Sequence, residues 1–308
     1  MRQIRGSAVF AAVLALASAG IARASLPGAP AFALLASLVA LPLLVLALAR
    51  FARRDTLAAR LASPALFGAL LLWLWEMLVL GLHIPFVLLP PPSAIAAAFV
   101  THLGTLATDF RQTYLHAVIA GYALGCGAGF AVALAVDRSP FLRRGLLPLG
   151  NLASVMPIVG VAPIMVMWFG FDWPSKAAVV VVMTFFPMLV NTTAGLAATG
   201  AMERDLMHCY AAGYWPTLLK LRLPASMPFV FTALKLNSTL ALIGAVVAEF
   251  FGTPILGMGF RISTEAARMN MDIVWATITV AALAGSLSFG AIALIERAAT
   301  FWHPAFRR

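Results

Sequence analysis

Long apolar runs separated by short polar turns make up most of this chain. The runs cover roughly residues 7–22, 31–49, 64–82, 113–136, 146–169, 177–195, 229–248 and 273–295. Most of them reach the ~20 residues that carry a helix across a bilayer. The pattern predicts an all-α integral membrane protein with about eight spans. The first run follows a basic start, MRQIR, and ends at Ala22-Arg23-Ala24, a small-x-small pattern. It reads as an uncleaved span or as a cleaved signal. The span is preferred, because more spans follow and none needs a separate export signal. Either reading leaves Ser25 outside, and the count is eight or seven.

The polar interruptions refine the picture. Pro90, Pro91 and Pro92 cannot continue a helix, whereas Ser93 suits a cap. The stretch 93–108 therefore reads as a helix at the outer surface or as an irregular loop. In the run 113–136, Gly121, Gly125 and Gly129 recur every four residues, so another helix can approach that face closely. The run 146–169 carries Pro148, Pro157 and Pro163, which predicts a kinked or broken span. GFDWPSK is a short outer turn, and FFGTPILGMGFRISTEAARMNMD an external or partly re-entrant segment.

Composition and charge agree with membrane burial. The chain has 308 residues, 62% of them hydrophobic and 10% charged, with a mean hydropathy of +0.97. The net charge of +10 in a soluble protein points to nucleic acid. Here the basic residues fall between apolar runs and report topology, so no nucleic-acid partner is expected. Setting the two terminal segments and the turns at Arg50–Arg60, Arg138–Arg144 and Arg204–Arg222 inside places 15 of the 21 basic residues in the cytoplasm. Both termini are then cytoplasmic if the first span is retained. Cys126 lies in a span and Cys209 in a loop, so no disulfide is expected. The five His show no ligand spacing and predict no metal site.

The longest polar-containing interruption in the second half is ERDLMHCYAAGYWPTLLKLRLPASMP, within a cytoplasmic loop spanning 199–228. Met202, Leu206 and Tyr210 stand four residues apart, which predicts a helix over about 202–212 with one apolar stripe. Gly213 can end it, Pro216 suits the first turn of a second short helix, and Leu223-Pro224 stops that one. Such a helix lies on the membrane surface or docks in a groove of a partner protein.

Four polar residues in or near spans are candidates for a solute pathway. Glu249 ends an apolar run, where it lines a path, pairs, or forms a solvated helix end. Glu76 sits between tryptophans in WLWEML. Asn237 and Ser238 follow Lys235, whose ammonium is expected to snorkel toward the inner surface. No Ser/His/Asp, paired-acid or metal constellation stands near the spans.

The loop resembles the cytoplasmic signature of binding-protein-dependent ABC importer permeases: Glu-Ala-Ala, three residues, Gly, nine residues, Ile, one residue, Leu-Pro. Placing Leu223-Pro224 on the final Leu-Pro puts Leu221 at the Ile and Ala211 at the Gly. It puts Asp205, Leu206 and Met207 at Glu-Ala-Ala. The acid, the aliphatic and the Leu-Pro are kept, whereas the two alanines and the glycine are not. The turn after the helix then falls to Ala211, or to Gly213. LLPPPSAI, PIVGVAPIMVMWFGF, FFPMLVNTTAGL, LRLPASMPFVFTALK and ALIGAVVAEFFG are similar, in order and spacing, to segments of the nitrate/sulfonate/taurine branch of these permeases.

The resemblance implies a MetI-like six-span core over residues 61–308, preceded by a hydrophobic extension, 1–60, of one or two extra spans. It implies a multi-pass subunit of the bacterial inner membrane that dimerises and that couples through Asp205, Leu206, Met207, Tyr210, Ala211, Gly213, Leu221, Leu223 and Pro224 to a separate ABC ATPase subunit. An extracytoplasmic solute-binding protein brings a small polar solute, pyrimidine-like, a thiamine precursor, or a sulfonate- or nitrate-type anion. The chain itself is then no enzyme and binds no cofactor; ATP-Mg sits on the partner. In agreement, no GxxxxGK[ST] loop is present, and none of the three lysines, Lys176, Lys220 and Lys235, follows a glycine. The alternative from the residues alone is an ion-driven secondary transporter, which needs ionisable groups deep in several spans.

Overall fold

The computed structural model describes residues 57–153, 157–252 and 255–302. The expected extension over the first 56 residues, with its signal-or-span alternative and the basic cluster at Arg50–Arg54, and the tail from His303 lie outside the described residues. Among the described residues helix is the one kind of regular element, without a strand. Five helices among the described residues are long and apolar enough to cross a membrane, over Ala62–Gly81, Leu103–Arg138, Trp173–Ala197, Tyr214–Glu249 and Met271–Ala299. The all-α membrane architecture expected of a permease core is thus observed. The chain divides into two compact units, one of residues up to Thr101 with Arg268–Ala276, the other of His102–Ala267 with Thr277 onward.

In the first unit, helix α1 (Leu57–Gly81) precedes helix α2 (Pro92–Thr101). Few of the described residues of α1 are buried, and Phe67, Leu71 and Leu72 are about half exposed, as suits a helix that meets lipid. Glu76, a pathway candidate, projects from α1 and accepts from the Ser93 amide at 3.0 Å and from its hydroxyl at 2.6 Å. The first amides of a helix have no partner of their own. Here a carboxylate from α1 satisfies one of them, so Glu76 rather than Ser93 does the capping. Trp75 meets Trp275 edge to face, with centroids 4.9 Å apart.

The second unit begins with helix α3 (Leu103–Arg138), followed by α4 (Pro140–Ala153), α5 (Ile158–Phe169) and α6 (Trp173–Ala197). After the loop come α8 (Tyr214–Glu249), α9 (Met258–Ala267) and α10 (Met271–Ala299), of which the part from Thr277 belongs to this unit; α7 belongs to the loop and is described below. The core is α6 packed between α3 and α8. On α3 the three spaced glycines meet α6 directly. A Cβ at Gly121 would stand 2.6 Å from the Ala177 carbonyl oxygen, and one at Gly129 2.5 Å from that of Phe185. Small residues give close helix approach where water supplies no hydrophobic drive. Buried Val180, Ala241, Ala245 and Met258 pack with Ala117 and Val118 on one stretch of the bundle, and Cys126, Met188, Val230 and Ala233 on the next.

Three sequence expectations change here. The span expected from 113 begins at Leu103, and the surface helix expected over 93–108 ends at Thr101. Asp109 and Thr113, polar residues within this span, are fully enclosed. The chain between Arg111 and Val118 winds as a π-helix within the span. The run 146–169 is not one span but two helices, α4 and α5, with Pro157 extended (φ −68°, ψ 116°) just before α5. Pro148 and Pro163 are accommodated inside their helices, so the break anticipated from three prolines falls at one of them. Finally, the turn DRSPFLRRG is mostly α4. Ser139 is extended and its hydroxyl accepts from the Leu142 amide, while Pro140 takes the first helical position, which suits its fixed φ and missing N–H.

Candidate coupling site

The loop between α6 and α8 carries helix α7 (Ala201–Cys209). None of its residues is buried, and Met202, Leu206 and Tyr210 are 82%, 55% and 77% exposed. The apolar stripe expected from their spacing therefore exists, and it touches nothing in this chain's core. The helix ends in a Schellman turn: the Ala212 amide donates to the Met207 carbonyl at 3.0 Å, and the Ala211 amide to that of His208 at 2.8 Å. That turn needs its fifth residue in the left-handed region, and Ala211 occupies it with φ +51°. Gly213, the other candidate for the turn, is extended instead (φ −69°, ψ −178°) and starts the next helix. Ala211 thus stands, left-handed, where the importer signature has glycine. A side chain there costs about 1 kcal/mol relative to Gly. Ala211→Gly should stabilise the loop by that amount and slow amide exchange in α7 about fivefold. Unchanged exchange would show that the turn is not strained.

Beyond Gly213 the structure corrects a second expectation. Pro216 falls in the first helical turn, as its chemistry suggested. Leu223-Pro224 does not stop the helix, which continues to Glu249. Residues Leu218–Arg222 form a π turn in which the Leu223 amide reaches back to the Leu218 carbonyl. A proline inside an α-helix clashes with the carbonyl four residues earlier and leaves it without a donor; the wider turn just ahead of Pro224 changes that local pattern. Of the motif residues, Asp205, Leu206, Tyr210, Ala211 and Gly213 thus lie exposed on one loop and Met207 is half-buried there. Leu221, Leu223 and Pro224 are half-buried in the first turns of α8.

Sequence reasoning missed the side chains that join this loop to the bundle. Arg222 makes a two-pronged ion pair with Asp137 of α3, Nη2 to Oδ1 at 2.6 Å and Nη1 to Oδ2 at 2.8 Å. Its Nε and Nη2 also donate to the Leu196 carbonyl in the last turn of α6, at 3.1 and 3.0 Å. The Tyr214 hydroxyl donates to Asp137 Oδ2 at 3.0 Å, and Arg138 lies over the rings of Tyr214 and Trp215, 5.6 Å from each centroid. A cleft of about 430 Å3 opens here, lined among others by Asp137, Arg143, Arg204, His208 and Arg222. The available signal was Asp137 itself, an acid at the very end of a long apolar span.

At the opposite end of α3 a second polar cluster anchors α9. Glu249 is 3% exposed. It accepts from the Thr113 hydroxyl at 2.7 Å and the Gly259 amide at 2.6 Å. Asp109 accepts from the Gly257 amide at 2.9 Å and pairs with Arg261 at 2.8 Å. The Met258 amide donates to Thr113. The unpaired amides at the start of α9 are thus taken up by two carboxylates and a hydroxyl, which also suit the positive end of the helix dipole. Gly257 permits it, with φ +133° and only 2.6 Å between a Cβ there and Glu249 Oε1. The Asp109 carboxylate holds the Arg261 guanidinium above its ordinary pKa range. Glu249 is therefore a buried anchor and not a solvated helix end.

The remaining candidates also bond within the bundle. Asn237 donates to the Thr184 carbonyl at 2.8 Å and to Cys126 Sγ at 3.2 Å, and Ser238 to the Lys235 carbonyl at 2.7 Å. Lys235 does not snorkel; it pairs with Glu296 of α10 at 2.6 Å. A carboxylate within reach in a low-dielectric surrounding outcompetes a stretched path to water. Lys176, assigned to the outer turn, is enclosed at the start of α6, where its ammonium donates to the Phe171 carbonyl.

The model of one family, the binding-protein-dependent transport system inner membrane component, matches residues 121–300. The chain belongs to this family. The match takes in α7, α8 and the Asp137–Arg222 pair, and the family is one of transport permeases rather than enzymes. The permease is 30% identical to the formylaminopyrimidine transport permease protein ThiX of Halalkalibacterium halodurans over 240 residues, which are 78% of this chain and 95% of that one. It is 26% identical to a protein described as a putative aliphatic sulfonates transport permease, SsuC of Bacillus subtilis, over 78% of this chain and 87% of that one. It is likewise 26% identical to the taurine transport system permease protein TauC of Escherichia coli, over 74% and 85%. These likenesses agree with the nitrate/sulfonate/taurine branch read from the sequence, and they support the permease and not the ion-driven alternative. With five long apolar helices among the described residues the permease is a multi-pass membrane protein.

Proposed function

We propose that this permease forms the membrane pathway of an ABC importer and is driven through α7 by a separate ATPase subunit. The observation that carries this reading is the exposed stripe Met202, Leu206 and Tyr210 on a short helix held by a well-formed turn. It is an apolar face standing apart from the bundle, of the kind that fills a groove on a partner. Asp205 and Met207 flank it, Ala211 and Gly213 set its exit, and Leu221, Leu223 and Pro224 carry it into α8. ATP-Mg is bound and hydrolysed on the partner, and a solute-binding protein delivers the solute from outside. Two copies of the permease pair around the pathway. The loop end is cytoplasmic, in keeping with Arg138, Arg143, Arg144 and Arg204 there, so the chain lies in the inner membrane, with both termini cytoplasmic if the first span is retained.

The solute is small and polar. A pyrimidine-like or thiamine-precursor solute follows the likeness to ThiX, and a sulfonate-type anion the likeness to SsuC and TauC. Glu249, the Asn237 amide nitrogen and Ser238 make hydrogen bonds inside the bundle, and Glu76 caps α2; we assign them to holding the helices in place. Purifying the tagged chain from its own membrane in mild detergent tests the reading. A near-stoichiometric soluble subunit with a Walker loop is the expected companion. Its clean absence, while the chain stays folded, would sink the importer assignment.

A further inference from the structure

Helix α7 is joined by the chain to only two of the three core helices. It follows the end of α6 through residues 198–200 and leads into α8 through 210–213. The third, α3, has no chain connection to the loop. What reaches it is Asp137, in the last turn of α3, which takes both prongs of Arg222 and the hydroxyl of Tyr214. Arg222 also donates twice to the Leu196 carbonyl, one of the helix-terminal acceptors that α6 leaves without an internal partner. One guanidinium therefore ties three helix ends together, within two turns of the loop. The fork is planar and directional, so it transmits rotation as well as displacement, which a single lysine contact does not. Asp137 and Arg222 are 7% and 17% exposed at the side chain, so water competes weakly for these bonds.

We infer that Asp137, Arg222 and Tyr214 are positioning residues that carry the motion of α7 into α3, so that the three core helices move as one body when the ATPase moves the loop. The inference rests on the importer reading. A merely stabilising pair is the rival, and the structure supplies a control for it: Lys235–Glu296 is a comparably enclosed ion pair at 2.6 Å that makes no contact with the loop. Coupling carried by such a contact changes by about two- to thirtyfold when the contact is lost.

The test uses the whole complex in lipid, with the ATPase and with the binding protein purified carrying the solute it naturally holds. The readout is the ratio of ATP hydrolysis with and without that loaded binding protein. Asp137→Asn should lower the ratio roughly fivefold in complexes that still assemble, and Tyr214→Phe should lower it less. Glu296→Gln should reduce thermal stability and keep the ratio. If Asp137→Asn does not assemble, Arg222→Lys decides in the same assay, since it keeps the charge and loses the fork. A normal ratio in the deciding variant, or an equal fall in Glu296→Gln, overturns the clasp. A wild-type complex that binding protein never stimulates overturns the importer reading itself, and the clasp's role with it.

Discussion

Leu206→Asp should abolish solute uptake while the permease still inserts, folds and dimerises. Leu206 is 55% exposed on a helix with no buried residue. Replacing it opens no cavity in the buried core, and surface changes of this kind usually stay within about 0.5 kcal/mol. In the docked complex the same carboxylate enters an apolar groove without a partner. The cost is roughly 3 kcal/mol, about two orders of magnitude in docking affinity. Tyr210→Asp, one turn further along the same stripe, should behave alike. Uptake measured in cells, beside the amount of folded chain in the membrane, separates the two effects. Full uptake in either variant removes α7 from the docking role, and loss of folded chain would show that the stripe is packed after all.

Gly125→Val should prevent the bundle from forming. A Cβ at Gly125 would stand 2.9 Å from the Val181 carbonyl oxygen and 3.0 Å from the Val181 Cα, with the Thr184 hydroxyl closer still. Backbone cannot give way as a flexible side-chain tip can. Thr184 is itself committed: its hydroxyl bonds the Val180 carbonyl, and its own carbonyl accepts from Asn237 of α8. Parting α3 from α6 therefore disturbs the contact with α8 as well. Overpacking costs about 1–3 kcal/mol or more, and within a bilayer the added apolar atoms gain nothing by leaving lipid. Gly127 is the matched control, since nothing stands within 4 Å of a Cβ there. Gly127→Ala should be neutral or slightly stabilising, because Ala is the better helix former. Folded yield and thermal midpoint in detergent give the comparison. Equal stability of the two variants would refute the close approach of α3 and α6.

Much of this was legible along the chain. Hydrophobic run length alone yields the helical membrane class, because a backbone in lipid has to satisfy its own hydrogen bonds. The four-residue glycine spacing named the face of α3 that meets α6, since helix geometry turns sequence spacing into a surface. The stripe of Met202, Leu206 and Tyr210 named the loop helix for the same reason. Helix ends were harder. Pro224 has the chemistry of a stop, and only the π turn before it shows how the helix passes through. Asp109 and Thr113 look like the edge of a membrane, and only the start of α9, which presents amides to them, explains why they are buried within a span.

By itself, then, the sequence determined the class of the protein, the faces its helices use and the position of its exposed loop helix, because these depend on periods and lengths read along the chain. The tertiary structure alone decided which polar groups meet. Asp137 with Arg222 lie 85 positions apart, Thr113 with Glu249 136 and Lys235 with Glu296 61. No local propensity encodes such pairs. The low dielectric of the bundle makes an unpartnered charge costly, so the fold brings each of these to its partner across helices, and that choice gave Glu249 its bonds to Thr113 and Gly259 and joined the loop's flank to α3 and α6.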